Sequence, residues 1–94
     1  MRGFAFCNEL YGELPLGDAL SRIAAHGYDG VELDARSLAG LDLGEMAERC
    51  SSLGLSVAGL HWLLAGTRGL HLTHPEAEVR RATLRHLQEL VRQC

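Results

Sequence analysis

Asn8 and Glu9 follow a short apolar run, Glu32 and Asp34 lie within a second, and His61 and Trp62 close a third. Carboxylates and an imidazole are the side chains that move protons near neutral pH. A neutral imidazole at His61 can equally bind a metal or hold a substrate hydroxyl, and a satisfied histidine at the rim of a fold carries the same sequence signature. Glu32 is the most unusual of the set, because it stands between Val31 and Leu33. A carboxylate inside a sheet is costly unless it is paired, hydrogen-bonded or on a metal. Glu32 is therefore expected either to serve a site or to pair with an arginine or a backbone amide. Trp62 offers a flat face to a sugar ring, and fits a rim or core aromatic as well. His71 and His74 form an HxxH pair without further zinc partners, and His26 and His86 fall on helical stretches where solvent exposure is expected. The sequence contains no P-loop, no GxGxxG and no GxSxG.

The elements that must position these residues alternate. Phe4-Ala5-Phe6-Cys7 reads as a strand. Leu16, Ala19, Leu20, Ile23 and Ala24 then recur at helical spacing over residues 16–26, and Gly27 stands where a left-handed cap is wanted. Val31-Glu32-Leu33-Asp34 is a second strand. Its alternation places Val31 and Leu33 under the helices and sends Glu32 and Asp34 to the opposite face. Asp42 caps a second helix with Glu45 three residues on, its apolar face running through Leu43, Met46, Ala47, Cys50 and Leu53 to a stop at Gly54. Residues 55–60 form the third strand. A third helix is expected to start at Thr73, with Pro75 and Glu76 in its first turn and Val79, Ala82, Leu84, Leu87, Leu90 and Val91 inward.

The order βαβαβα implies a parallel sheet with right-handed crossovers. Strands recur about every 25 residues, near the roughly 30 residues per unit of a (β/α)8 barrel. A doubly wound sheet gives the same pattern over this length. In either fold the active site lies at the carboxyl ends of the strands, where Asn8, Glu9, Glu32, His61 and Trp62 fall.

Composition narrows the function classes. With 94 residues, 47% apolar and 22% charged, the chain has a globular make-up and the size of one domain. No apolar run is long enough to span a bilayer, and Asn8 and Glu9 interrupt the start too early for a signal peptide, so the expected compartment is cytoplasmic. The net charge of −3 argues against nucleic acid, since phosphate binding favours a basic excess. Cys7, Cys50 and Cys94 are odd in number and widely spaced, and read as reduced thiols. The third helix reaches Cys94 without Gly, Asn or Pro to stop it, and three parallel strands leave open edges. The expectation is an N-terminal fragment of a larger domain, able to self-associate through those edges.

Several segments together resemble a known family. They are Phe6-Cys7-Asn8-Glu9, His26-Gly27-Tyr28-Asp29-Gly30-Val31-Glu32-Leu33, Leu53-Gly54-Leu55 and Gly59-Leu60-His61-Trp62-Leu63-Leu64, with Gly69-Leu70, Thr73, Pro75 and Arg80-Arg81 beyond. The sequence resembles the sugar phosphate isomerase/epimerase family, the xylose-isomerase-like TIM barrels, over essentially its whole length. The resemblance implies that residues 1–94 are the first three βα units of a (β/α)8 barrel. It implies a divalent metal (Mn, Mg, Co or Zn) in the full-length parent, bound by Glu, Asp and His of later strands outside this chain. It implies aldose–ketose isomerisation or epimerisation by proton transfer beside the carbonyl of a carbohydrate substrate. Asn8, Glu9, Glu32, His61 and Trp62 would then contact substrate. Relatives include hydroxypyruvate isomerases, inosose dehydratases and endonuclease IV. In the last, a histidine at the end of the third strand is a metal ligand, and His61 lies at the similar place; in the epimerases that region contacts substrate. The resemblance leaves the catalytic residues unassigned. It implies that the fragment alone is inactive and holds no metal stably.

Overall fold

The structure, a computed structural model, describes residues 3–65 and 67–93. Its elements are β1 (Ala5–Cys7), a 3-10 turn (Asn8–Tyr11), α1 (Leu16–Ala25), β2 (Gly30–Asp34), a second 3-10 turn (Ala35–Leu38), α2 (Leu43–Ser52), β3 (Ser56–His61) and α3 (Ala77–Gln93). The three strands form one parallel sheet in the order β1-β2-β3. This is an α/β arrangement of successive βα units, as the alternating pattern predicts.

Local chemistry explains the helix boundaries. Leu16, Ala19, Leu20 and Ile23 of α1 are buried as one stripe, and the chain leaves through His26 to Gly27 at φ +85°. In α2 the Asp42 carboxylate accepts from the Glu45 amide at 3.1 Å, satisfying one of the orphan N–H groups of the first turn. Gly54, at φ +71°, ends that helix. The core joins Leu16, Leu20 and Ile23 to Val31, Leu33, Cys50 and Leu55, with Phe6 and Leu60 packed at its margin. Val31 and Leu33 thus lie under the helices, and the sheet buries one face.

Three features depart from the sequence expectation. Short 3-10 turns follow β1 and β2 directly, where the sequence pattern assigns no element. α3 begins at Ala77 rather than near Thr73. Side chains hold the preceding residues in turns: the His74 Nδ1 accepts from the Glu76 amide at 3.1 Å, and the Arg80 guanidinium donates to the carbonyls of His74 and Pro75 at 2.7 and 2.8 Å. Finally, the inward stripe of α3 is narrower than its apolar spacing suggests. Thr83 and Leu90 are buried, whereas Leu84 and Val91 are 52% and 73% exposed. Thr83 is buried because its hydroxyl accepts from the His71 amide at 2.8 Å and donates to the Val79 carbonyl at 2.7 Å. Among the described residues, no helix is long and apolar enough to cross a membrane.

Register matters most in β3. Gly30 pairs with Ser56 and Val31 with Val57, but Glu32 pairs with Gly59, so Ala58 is an extra residue. This β-bulge restores Leu60 to the core side opposite Leu33 and brings His61 opposite Asp34. Gly30 lets the two strands approach: a Cβ there would meet the Ser56 carbonyl oxygen at 2.9 Å, whereas a Cβ on Gly59 would meet nothing within 4 Å. Gly30→Ala is expected to destabilise by about 1–3 kcal/mol through overpacking against a backbone atom. Gly59→Ala should stay within about 0.5 kcal/mol of the parent. Denaturant unfolding of the two variants checks the contrast; equal stabilities would contradict the register.

Candidate functional site at the carboxyl ends of the strands

The site is built on a polar brace between β1 and β2. Asn8, the first residue after β1, is buried, and its Oδ1 accepts from the Asp34 amide at 2.8 Å. Its Nδ2 donates to the Ser37 hydroxyl at 3.0 Å, and that hydroxyl donates to Asp34 Oδ2 at 2.9 Å. Asp34 Oδ1 accepts from the Arg36 amide at 2.8 Å, and the Arg36 guanidinium lies 3.6 Å from Oδ2. Every buried polar atom of the brace has a partner, as a desolvated network requires. Burial pushes the Asp34 carboxyl up, but the Ser37 hydroxyl, the Arg36 amide and charge and the Ser37 amide outweigh it, so it sits below its ordinary value.

Beyond the brace lies a cluster that crosses the sheet. Phe6 turns toward Tyr28 and Tyr11 on the core side, with ring centroids 4.9 and 5.8 Å away. Strand alternation then sends Cys7 to the other face, where its backbone pairs with Glu32. The Cys7 Sγ lies 2.8 Å from His61 Nε2, although 54 residues separate them. The other ring nitrogen, His61 Nδ1, is 3.6 Å from Glu9 Oε2. The carboxylate favours a proton on Nδ1, which leaves Nε2 to accept from the thiol. Burial and the nearby carboxylates of Glu9, Glu32 and Asp34 push the Cys7 thiol up, against a lowering by the Glu9 backbone amide. Cys7 is therefore a neutral thiol, not an activated nucleophile.

Trp62 follows directly and takes φ +54°, a left-handed backbone that bulky residues rarely adopt. Its ring meets His61 edge-on at 6.4 Å and carries the Arg36 guanidinium 5.5 Å above its centroid. The indole remains 54% exposed.

The structure thus brings Glu9 and His61 together, places Trp62 beside them and Glu32 on the same sheet face as Cys7. Asn8 lies beneath, with both ends of its amide engaged by the protein. Glu32 departs from the expected burial: it is exposed because nothing among the described residues covers that face of the sheet. Of the other histidines, His71 and His74 act as local turn acceptors. His86, expected in solvent, is half-buried, and its Nε2 donates to the Leu63 carbonyl at 3.0 Å. Sequence reasoning passed over Cys7 as an inert thiol and over Arg36 and Ser37 altogether. Cys7 could have been found by the same strand-end rule that singled out its neighbour Asn8.

No family model, curated protein or solved structure matches the chain.

Asp34 gives this site a measurable acid limb. Its folded-state value lies below the ordinary 3.8, so its stabilisation is full above that value and is lost as pH falls through the lower one. Asp34→Ala is expected to lower stability at pH 7 by about 1–3 kcal/mol, since it strands buried donors. It should also flatten the acid side of the stability curve. Unfolding by denaturant from pH 7 down to about pH 3 measures both; an unchanged acid limb would deny the carboxylate this role.

Proposed function

We propose that this chain supplies the first three βα units of a (β/α)8 barrel that isomerises or epimerises a sugar or sugar phosphate by proton transfer beside its carbonyl. One observation carries the reading. Three adjacent parallel strands deliver Glu9, Glu32 and His61 to one end of the sheet, on the side that the helices leave uncovered. That is where barrels of this kind bind their substrates. Glu32 is a carboxylate with no cation within ion-pair distance among the described residues, and is free to face a substrate hydroxyl. His61, fixed by Cys7 and Glu9, is positioned to hold a second. Trp62 with Arg36 forms a wall suited to the apolar face of a sugar ring, and Arg36 offers a charge to a phosphate.

The divalent metal implied by the family resemblance belongs to carboxylates and histidines of later strands. Among the described residues, the group of three donors within reach of one ion is Cys7, Glu9 and His61. It contains a thiol and a single carboxylate, and does not fit the carboxylate-rich set of a hard cation. No step of the proposed reaction is assigned to it.

The test is the reading frame that continues the chain, expressed with it and supplied with Mn2+. The expected result is Glu, Asp and His ligands at later strand ends, and solvent exchange of the proton beside the carbonyl of aldoses or ketoses. Absence of such ligands would sink the reading. In that protein, Glu32→Gln should cost about 10²-fold or more in turnover if Glu32 moves the proton. A change confined to KM would make it a substrate contact only.

A second reading rests on the exposed apolar side chains. Val57 in β3, Leu72, Leu84 and Val91 are all more than half exposed. Self-association of the 94-residue chain through its open sheet would cover part of that surface. Sedimentation velocity should then show a species heavier than the monomer that grows with concentration; a single monomeric boundary at all concentrations rules this out.

A further inference from the structure

The isomerase reading takes His61 as a substrate contact and gives the Cys7 sulfur beside it no chemical role. Cys7, Glu9 and His61 offer a sulfur, a carboxylate oxygen and an imidazole nitrogen that lie within 4.8 Å of one another. They come from β1, the turn after it, and the last residue of β3, so the paired sheet fixes their separation. All three are partly buried, and each retains access to solvent. Glu32 adds a further negative charge beside Cys7, and the Arg36 guanidinium lies 3.6 Å from the Asp34 carboxylate.

We propose that Cys7, Glu9 and His61 form a binding site for a thiophilic divalent cation of the zinc class. Mixed sulfur, nitrogen and oxygen donors select a borderline-soft ion over Mg2+ or Ca2+, which take oxygen alone. Donor atoms on a tetrahedral zinc stand about 3.5 Å apart. The Cys7 sulfur, now 2.8 Å from Nε2, must withdraw by well under one bond length, and the Glu9 carboxylate must close in by a turn of its side chain. On binding, the S–H bond of Cys7 breaks, its proton leaves to solvent, and the thiolate takes the metal in place of the hydrogen bond to the ring. Three protein ligands leave a fourth position for water on the uncovered side of the sheet. Such an open site is of the kind that binds and polarises a ligand rather than one that only staples a fold.

The isomerase reading places its metal on later strands and shares His61 and Glu9 with this site, so the test reads metal binding with no sugar present. The experiment uses the purified 94-residue chain and the metal alone. Co2+ is titrated in as a spectroscopic probe, and Zn2+ is then added in competition under reducing conditions. The expected result is a near-ultraviolet thiolate-to-cobalt charge-transfer band with the intense visible bands of a tetrahedral ion, both abolished by stoichiometric Zn2+. Cys7→Ser should remove the charge-transfer band, whereas Cys94→Ser should keep it. His61→Ala and Glu9→Gln should each weaken Zn2+ binding by at least the about 10- to 100-fold that losing a partner of a ligand costs. Far-ultraviolet circular dichroism of each variant separates a lost site from a lost fold, and Glu9→Gln is the variant least able to disturb packing. Cobalt binding without a thiolate band, a band that survives Cys7→Ser, or undiminished affinity in a folded Glu9→Gln would each overturn the proposal. Each of these readouts is of metal binding alone, so its failure is distinct from a failure of proton exchange on sugars by the longer protein.

Discussion

The hydrogen bond from the Asp34 amide to the Asn8 side chain is the constraint on which the carboxyl-terminal end of the sheet depends. Parallel strands as short as Ala5–Cys7 have few ladder bonds with which to fix their ends. A buried side-chain amide that spans from β1 to β2 replaces the missing ones. Asn8 can do this because its carbonyl and its NH2 act in opposite directions, one accepting from β2 and the other donating into the turn that follows it. With Asn8 fixed, Cys7 and Glu9 on either side of it are fixed too. Each nitrogen of the His61 ring is therefore approached by a group that the same residue positions.

Charge at this end is distributed unevenly, and the unevenness is informative. Asp34 is buried and surrounded by donors, so its charge is spent within the fold. Glu9 and Glu32 are not neutralised in the same way. The first lies 3.6 Å from the His61 imidazole, and the second has no positive partner among the described residues. A structural carboxylate and two available ones thus lie within one small region, which is the arrangement expected where a ligand supplies the balancing charge.

Much of the fold was legible in the sequence because its signals are local. The stripe of α1, the Asp42 cap and the glycine stops at Gly27 and Gly54 act within a few residues of themselves, and the structure has each of them in place. The start of α3 was misplaced because the residues before Ala77 bond to side chains, and such turns compete with a helix on nearly equal terms. The exposure of Val91 was hidden for a different reason: an apolar stripe shows which face can be buried, not whether anything covers it. At the candidate site, the strand-end rule singles out Glu9, Glu32 and His61, and the structure has Glu9 and His61 side by side. The rule missed the Cys7–His61 contact, because 54 residues separate the two and only the paired sheet brings them together.

The bulge at Ala58 has a consequence for how β3 can pair. Side chains on a strand alternate in two states, and Ala58 is a single added step that resets the count between Val57 and Gly59. Were Ala58 drawn into the ladder opposite Glu32, Leu60 rather than His61 would stand opposite Asp34, and an apolar side chain would occupy the wall where the imidazole now stands. The identity of that wall is therefore a matter of parity. A one-residue slip of β3 would exchange it at a stroke, although every residue would remain in the chain, whereas loss of Ala58 itself would leave His61 opposite Asp34 in an unbroken ladder.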